Sequence, residues 1–207
     1  MAKKGAKTEV NSMSDMKYSV YVIQILIVIV LSYLGIVAGG QVAQGVSLFY
    51  WAYPFFVLFT LYWGIWGIAG AYLGSVIGGG IFIGLPVHVS VIYGLGDLIA
   101  ALMIYLVYNS KMLKTHGVSK YGDDIFKSKA AAAWFISWIV VVTNILGGLV
   151  GVTALLELGE VTSTTYLIAL AAWVIGDALL LIILPALSEW LTPIMMKNGL
   201  IDSAEVM

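Results

Sequence analysis

The sequence predicts an all-α integral membrane protein, a bundle of six transmembrane helices with the N- and C-termini in the cytoplasm. Three observations carry this expectation. Of 207 residues, 61% are hydrophobic and 10% charged, with a mean hydropathy of +1.01, too little charge to keep a soluble surface wet. Apolar runs of about 20 residues, the length that crosses a ~30 Å hydrocarbon core, recur along the chain. The basic residues, ten lysines and no arginine, fall only between those runs.

Taken in order, residues 1–17 form a polar cytoplasmic tail carrying Lys3, Lys4, Lys7 and Lys17. The run at 18–37 is too long for a signal-peptide core and shows no small-residue cleavage pattern, so it is expected to be a retained span. Gly39 and Gly40 end it, and a short polar stretch, 41–47, follows. From 48 to 108 only His88 and Asp97 interrupt the apolar character. That is too long for one or two crossings, and breaks at Trp63-Gly64 and Gly84-Leu85-Pro86 divide it into spans 48–63, 65–83 and 87–108. A polar loop, 109–129, precedes spans 130–156 and 165–187, and an amphipathic cytoplasmic tail, 188–207, closes the chain. The membrane domain is therefore 18–187.

Lysine placement tests the count. Lys111, Lys114, Lys120, Lys127 and Lys129 lie in the 109–129 loop, and Lys197 follows the sixth span. With the N-terminus inside, every lysine is cytoplasmic, while the outer loops carry only His88, Glu157 and Glu160. Treating 48–83 as one span would export the five-lysine loop. The expected location is the plasma membrane.

Gly67, Gly70, Gly74 and Gly78 form a stripe without side chains on the third helix, suited to close helix packing where lipid supplies no hydrophobic drive. Gly147, Gly148 and Gly151 do the same in the fifth. Six aromatics crowd the start of the second span: Phe49, Tyr50, Trp51, Tyr53, Phe55 and Phe56. Interfacial belts account for most of them, yet they circle the helix, so some face inward. Tyr62, Trp63 and Trp66 form a second group.

Two carboxyls stand in mid-span, in Gly94-Leu95-Gly96-Asp97 and in Trp173-Val174-Ile175-Gly176-Asp177. Each costs roughly 2.5–3.5 kcal/mol at bilayer depth on insertion scales, so each is expected to face a polar interior. Aligning Asp97 with Asp177 also aligns Gly96 with Gly176 and Tyr93 with Trp173. Each aromatic precedes its Asp by four residues, on the same helix face. In one reading, Asp97, Asp177, Tyr93 and Trp173 line a mid-membrane cavity that recognises an amine, a hydroxylated ring or a cation. Asn144, Trp51, Tyr53 and Trp66 are the further candidate substrate-binding residues. In the other reading, each Asp is protonated or bonded to a neighbouring helix through Asn144, Ser75 or a backbone carbonyl. His88 is expected in a solvated loop, and Glu189 at the headgroups.

The same inventory excludes much chemistry. Without cysteine there are no disulfides and no thiolate ligands. No histidine cluster, paired nucleophile or phosphate loop is present, so neither a catalytic role, nor a metal site, nor a cofactor is expected. The lysines form no patch interleaved with aromatics, and nucleic-acid binding has no support.

The segments Tyr53-Pro54, Trp63-Gly64-Ile65-Trp66-Gly67-Ile68-Ala69-Gly70-Ala71, Gly84-Leu85-Pro86 and Gly94-Leu95-Gly96-Asp97 resemble the substrate-binding subunits (S components) of energy-coupling factor transporters. The size, six spans and inside termini also fit. The resemblance implies a small-solute-binding subunit without ATPase activity of its own, served by a transmembrane coupling subunit and ATPases. It also implies that the connection after the first helix, 41–49, closes over the substrate pocket. The first helix lacks the Ala-xxx-Ala motif by which that family meets its coupling subunit. Trp173 to Asp177 with Pro185 is also similar to the last helix of membrane sensory domains that precede histidine kinases and cyclic-dinucleotide enzymes. Only about twenty residues follow that helix here. A structural subunit of a larger membrane complex is the third reading.

Overall fold

The computed structural model describes residues 2–110, 129–137 and 142–201, and these are mostly helical. Most of the expected 109–129 loop, residues 138–141 of the expected fifth span and the last six residues lie outside the described residues.

Helix α1 (Ala2–Ala38) runs from the polar tail into the first span without a break, as expected where no proline or glycine falls between Tyr18 and Leu34. Helix α2 (Ala52–Trp63) carries Pro54 in its first turn, where no N–H is needed. Gly64, at φ +54°, turns the chain into α3 (Ile65–Leu73). A π-helical turn (Gly74–Gly78) and a 3₁₀ turn (Ile81–Ile83) extend α3. Then come α4 (Val87–Tyr93), α5 (Leu95–Tyr108), α6 (Lys129–Ile136), α7 (Asn144–Glu157) and α8 (Tyr166–Leu180). A 3₁₀ turn (Leu181–Ile183) leads into α9 (Leu184–Lys197).

The chain is an integral membrane protein: four helical stretches, Tyr18–Ala38, Ile65–Ile83, Val87–Tyr108 and Tyr166–Lys197, are long and apolar enough to cross a bilayer. Helices α2 and α7 are shorter, about 18 and 21 Å at 1.5 Å per residue. The shortness of α2 has a local cause. Leu48 and Phe49, expected to begin that span, donate their N–H groups to the carbonyls of Gly40 and Gly39, at 2.9 Å each, and so stay outside the helix.

Those bonds close the base of a β-hairpin that departs from the all-helical expectation. Strand β1 (Gln41–Ala43) pairs antiparallel with β2 (Val46–Ser47), Gln41 opposite Ser47 and Ala43 opposite Val46. Gln44 and Gly45 make the turn, and Gly45 takes the left-handed conformation, φ +76°, that a residue without Cβ adopts freely. The polar connection does not lie outside the bundle. Its tip turns inward, burying Gly45, Val46 and Ser47 and packing β2 on α8.

The glycine stripe packs within the chain. A Cβ on Gly70 would stand 2.7 Å from Gln24 Oε1, one on Gly74 2.6 Å from Val28, and one on Gly78 would overlap the Ile29 carbonyl, all on α1. Gly67 lies against the backbone of Phe59 and Thr60. Gly96 and Gly147 bring α5 and α7 together, and Gly148 and Gly151 sit under the Trp173 ring. The segment from 188, expected as an amphipathic tail, continues as helix to Lys197. Ser188, Leu191 and Thr192 are buried, and the Tyr62 and Thr192 hydroxyls are 2.7 Å apart.

Two apolar clusters result. One joins α1, α2, α3, α5 and α9; the other gathers Val46, Leu85, Val89, Tyr93, Leu155 and Trp173 around the hairpin tip.

Candidate functional site

Between the two clusters lies a buried set of polar side chains. Asp97 is fully buried, and Asp177 is 2% exposed. Asp97 accepts a short hydrogen bond from Ser75. The Tyr50 hydroxyl lies 3.3 Å from Ser75 Oγ and 2.8 Å from Ser32 Oγ. The single Ser75 proton is committed to Asp97, so Tyr50 donates to Ser75 and accepts from Ser32. A directed chain of hydroxyls thus ends on Asp97. Its other oxygen, Oδ1, has no hydrogen-bond partner among the described residues.

Helix α5 presents Asp97 just after Gly94-Leu95-Gly96, where the missing Gly96 side chain lets the α7 backbone approach. Ser75 sits inside the π turn, an irregularity that concentrates at functional sites. Asp177 stands four residues before the 3₁₀ turn at Leu181–Ile183.

Asp177, Tyr50, Tyr93, Trp173, Ile36 and the hairpin residues Gly45, Val46 and Ser47 line one small cavity. The space it leaves for the centre of a water molecule is about 10 Å³, close to what a single water requires. Ser47 Oγ is buried without a partner among the described residues. Tyr93 and Trp173 meet edge to face, centroids 5.6 Å apart. The Tyr93 hydroxyl donates to the Gly45 carbonyl at 2.6 Å, so this tyrosine fastens the hairpin tip as well as forming a wall.

The structure therefore brings Asp177, Tyr93 and Trp173 to one cavity. Asp97 stands behind Tyr50, one hydroxyl removed but within electrostatic reach of Asp177. Tyr53 is fully buried, edge to face on Phe56, with its hydroxyl 3.5 Å from Thr143 Oγ1. Asn144 is fully buried beside it, and neither of its polar side-chain atoms has a partner at hydrogen-bonding geometry among the described residues. Trp51 and Trp66 lie elsewhere, 46% and 39% exposed, Trp66 stacked on Tyr21 at 5.0 Å. His88 and Glu189 are exposed.

Sequence reasoning did not single out Ser32 or Ser47, and named Tyr50 only within the six-aromatic cluster. Ser32 offered a signal as a small hydroxyl inside an apolar span; Ser47 offered none, because its burial follows from the hairpin. No lysine or arginine occurs between Lys17 and Lys111 or between Lys129 and Lys197. The residues lining the cavity and the hydroxyl chain behind it thus include two carboxyls, Asp97 and Asp177, and no lysine or arginine. No trio of His, Asp and Glu converges among the described residues. Comparison with protein-family models, curated proteins and solved structures gives no match.

Proposed function

We propose that this chain is a membrane-embedded, small-solute-binding subunit of an uptake transporter of the energy-coupling type, without ATPase activity of its own. One observation carries the reading: a buried polar cluster with two carboxyls at the centre of an apolar bundle, closed by the hairpin that follows the first helix. Intramembrane carboxyls mark solute or ion pathways by default. Tyr93 and Trp173 add apolar ring surface beside Asp177, which suits an amine or a hydroxylated ring. The closed cavity holds about one water, so solute enters when the hairpin lifts.

In this reading the chain crosses the membrane six times, α2 and the α6–α7 segment supplying the second and fifth crossings. Both ends and the 109–129 loop are cytoplasmic, because all ten lysines then lie on one side. The hairpin opens to the outside. Cysteines introduced at Thr115 and Ser163 test this orientation; reaction of both from one side refutes it.

The functional test is gentle purification, followed by mass spectrometry of partners and of extracted small molecules. A coupling subunit and ATPases together with a bound solute support the proposal, and Asp97→Asn and Asp177→Asn should then each weaken binding by about 1–3 kcal/mol. A kinase or cyclase partner would favour a sensory module. That alternative draws on one feature: Asp177 and the packed α9 belong to one helical run, Tyr166–Lys197, which links the cavity to the far end of the bundle. One stoichiometric complex with no ligand would make the chain a structural subunit.

A further inference from the structure

We propose that the cavity between Asp177, Ser47 and Tyr50 is a site for one small, hard monovalent metal cation, and that the bound cation fastens the hairpin to the bundle. The inference goes beyond the solute-binding reading and does not require it.

Charge is the first argument. Asp177 is 2% exposed, accepts no hydrogen bond among the described residues, and shares its neighbourhood with Asp97. An ionised carboxyl in such a place needs a counter-charge, and no lysine or arginine occurs at residues 18–110 or 130–196, the stretches that hold every residue lining the cavity. The second argument is independent of the acids. Ser47, on the hairpin, lines the same cavity, and its Oγ is buried without a partner among the described residues. Carboxylate and hydroxyl oxygens on residues that line one cavity are a hard-cation donor set.

Size narrows the occupant. Room for the centre of a water molecule is about 10 Å³, enough for one water or one bare ion. An organic ammonium does not fit the closed form. Mg²⁺ keeps several waters and Ca²⁺ takes six to eight oxygens, more than this slot admits. Soft metals find no ligand there: no cysteine, methionine or histidine lines the cavity. The surrounding helices are irregular at Ser75 and just beyond Asp177, and broken helices at mid-membrane are the usual frame of coupling-ion sites in transporters. Ser47 belongs to the hairpin and Asp177 to α8, so an ion touching both holds the hairpin down.

The test uses the purified full chain in nanodiscs. The sequence has no cysteine, so Val46→Cys places one thiol at a buried hairpin position, and its maleimide labelling rate reports lifting. Sodium is titrated at constant ionic strength against choline, with potassium, calcium and ethylammonium in parallel. If sodium binds only the closed form, labelling slows saturably, about a hundredfold at one hundred times the dissociation constant. Ser47→Ala and Asp177→Asn should each raise the half-saturating sodium roughly tenfold or abolish the effect; Ile182→Ala, on the lipid face, should not. If Asp177→Asn fails to fold, the Ser47→Ala titration decides alone.

Equal labelling in all salts, or a sodium effect undiminished in both site variants, overturns the proposal. Slowing by calcium or ethylammonium but not by sodium or potassium overturns the assignment to a monovalent metal. A bound solute without any sodium response would sink this inference and leave the transport reading intact. A sodium response without solute does the reverse.

Discussion

Gly176→Ala is the sharpest probe of the docked hairpin. A Cβ at Gly176 would overlap the Leu48 carbonyl oxygen and stand 2.7 Å from its carbon. Backbone atoms cannot rotate away as a side chain can, so the hairpin base must recede by about 1.6 Å for the Leu48 oxygen to reach ordinary contact. Leu48 is tied to Gly40 by a backbone hydrogen bond, and the displacement is therefore shared by the whole hairpin. Overpacking of this kind costs about 1–3 kcal/mol, which shifts a docking equilibrium roughly 5- to 150-fold. The assay is the labelling rate of Val46→Cys, a residue 1% exposed when the hairpin is down, combined with thermal unfolding. Labelling should accelerate within that range. Ile182→Ala, at a position 74% exposed, should leave the rate unchanged. If Gly176→Ala labels at the parental rate and unfolds at the parental temperature, the hairpin does not rest on α8 and the described cavity lacks its lid.

Three further outcomes follow from particular contacts. Ser75→Ala combined with Asp97→Asn in a double-mutant cycle should show a coupling of about 0.5–3 kcal/mol in unfolding free energy, because one variant removes the donor and the other the charge it serves; strict additivity would deny the bond. Gly78→Ala should destabilise by about 1–3 kcal/mol through contact with the Ile29 carbonyl, and more than Gly79→Ala, whose Cβ would stand 3.2 Å from Ser75 O. The reverse order in thermal melts would contradict the α1–α3 packing. Trp173→Ala should cost about 3–5 kcal/mol, as removing a large buried ring does, and expose Val46→Cys to labelling. Trp173→Phe, which keeps an aromatic edge for Tyr93, should recover most of the loss.

How much of this was legible in the sequence depends on whether a residue's position is fixed by its own helix. Tyr93 and Asp97 fall on either side of Gly94, in α4 and α5, and only Tyr93 of the two lines the cavity. The Asp177–Trp173 spacing was readable, because four residues is one helical turn whatever the helix packs against. The glycine stripe was readable for the same reason. The hairpin was not. Its strands are three and two residues long, too short for alternation to register, and its inward course depends on distant residues: Gly176 on α8 and Tyr93 on α4. With the hairpin hidden, Ser47 and Tyr50 had no assignable role. Trp51 and Trp66 illustrate the converse. A six-aromatic cluster guarantees that some rings face inward, but only the fold decides that Tyr50, Tyr53 and Phe56 do so while Phe49 and Trp51 stay exposed.

The polar residues share a feature that patterning could not reveal: they sit where the helices stop being regular. Ser75 lies in a π turn and Thr143 in another stretch of π helix, Asp97 follows Gly94-Leu95-Gly96, and Asp177 precedes a 3₁₀ turn. A regular helix satisfies its backbone bonds internally and offers a ligand only side chains. A widened or tightened turn changes which carbonyls are committed and how the neighbouring side chains are aimed. In this bundle Ser75 bonds Asp97, Thr143 lies beside Tyr53 and Asp177 lines the cavity, so the irregularities come from three different elements. A helix-favouring change at one of them, such as Gly74→Ala, would therefore be expected to move Ser75 away from Asp97 as well as to press on Val28, 2.6 Å from the new Cβ. Loss of the Ser75–Asp97 coupling in the double-mutant cycle, measured in that background, would establish that the π turn sets the geometry. Retention of the full coupling would show that the hydroxyl finds Asp97 without it.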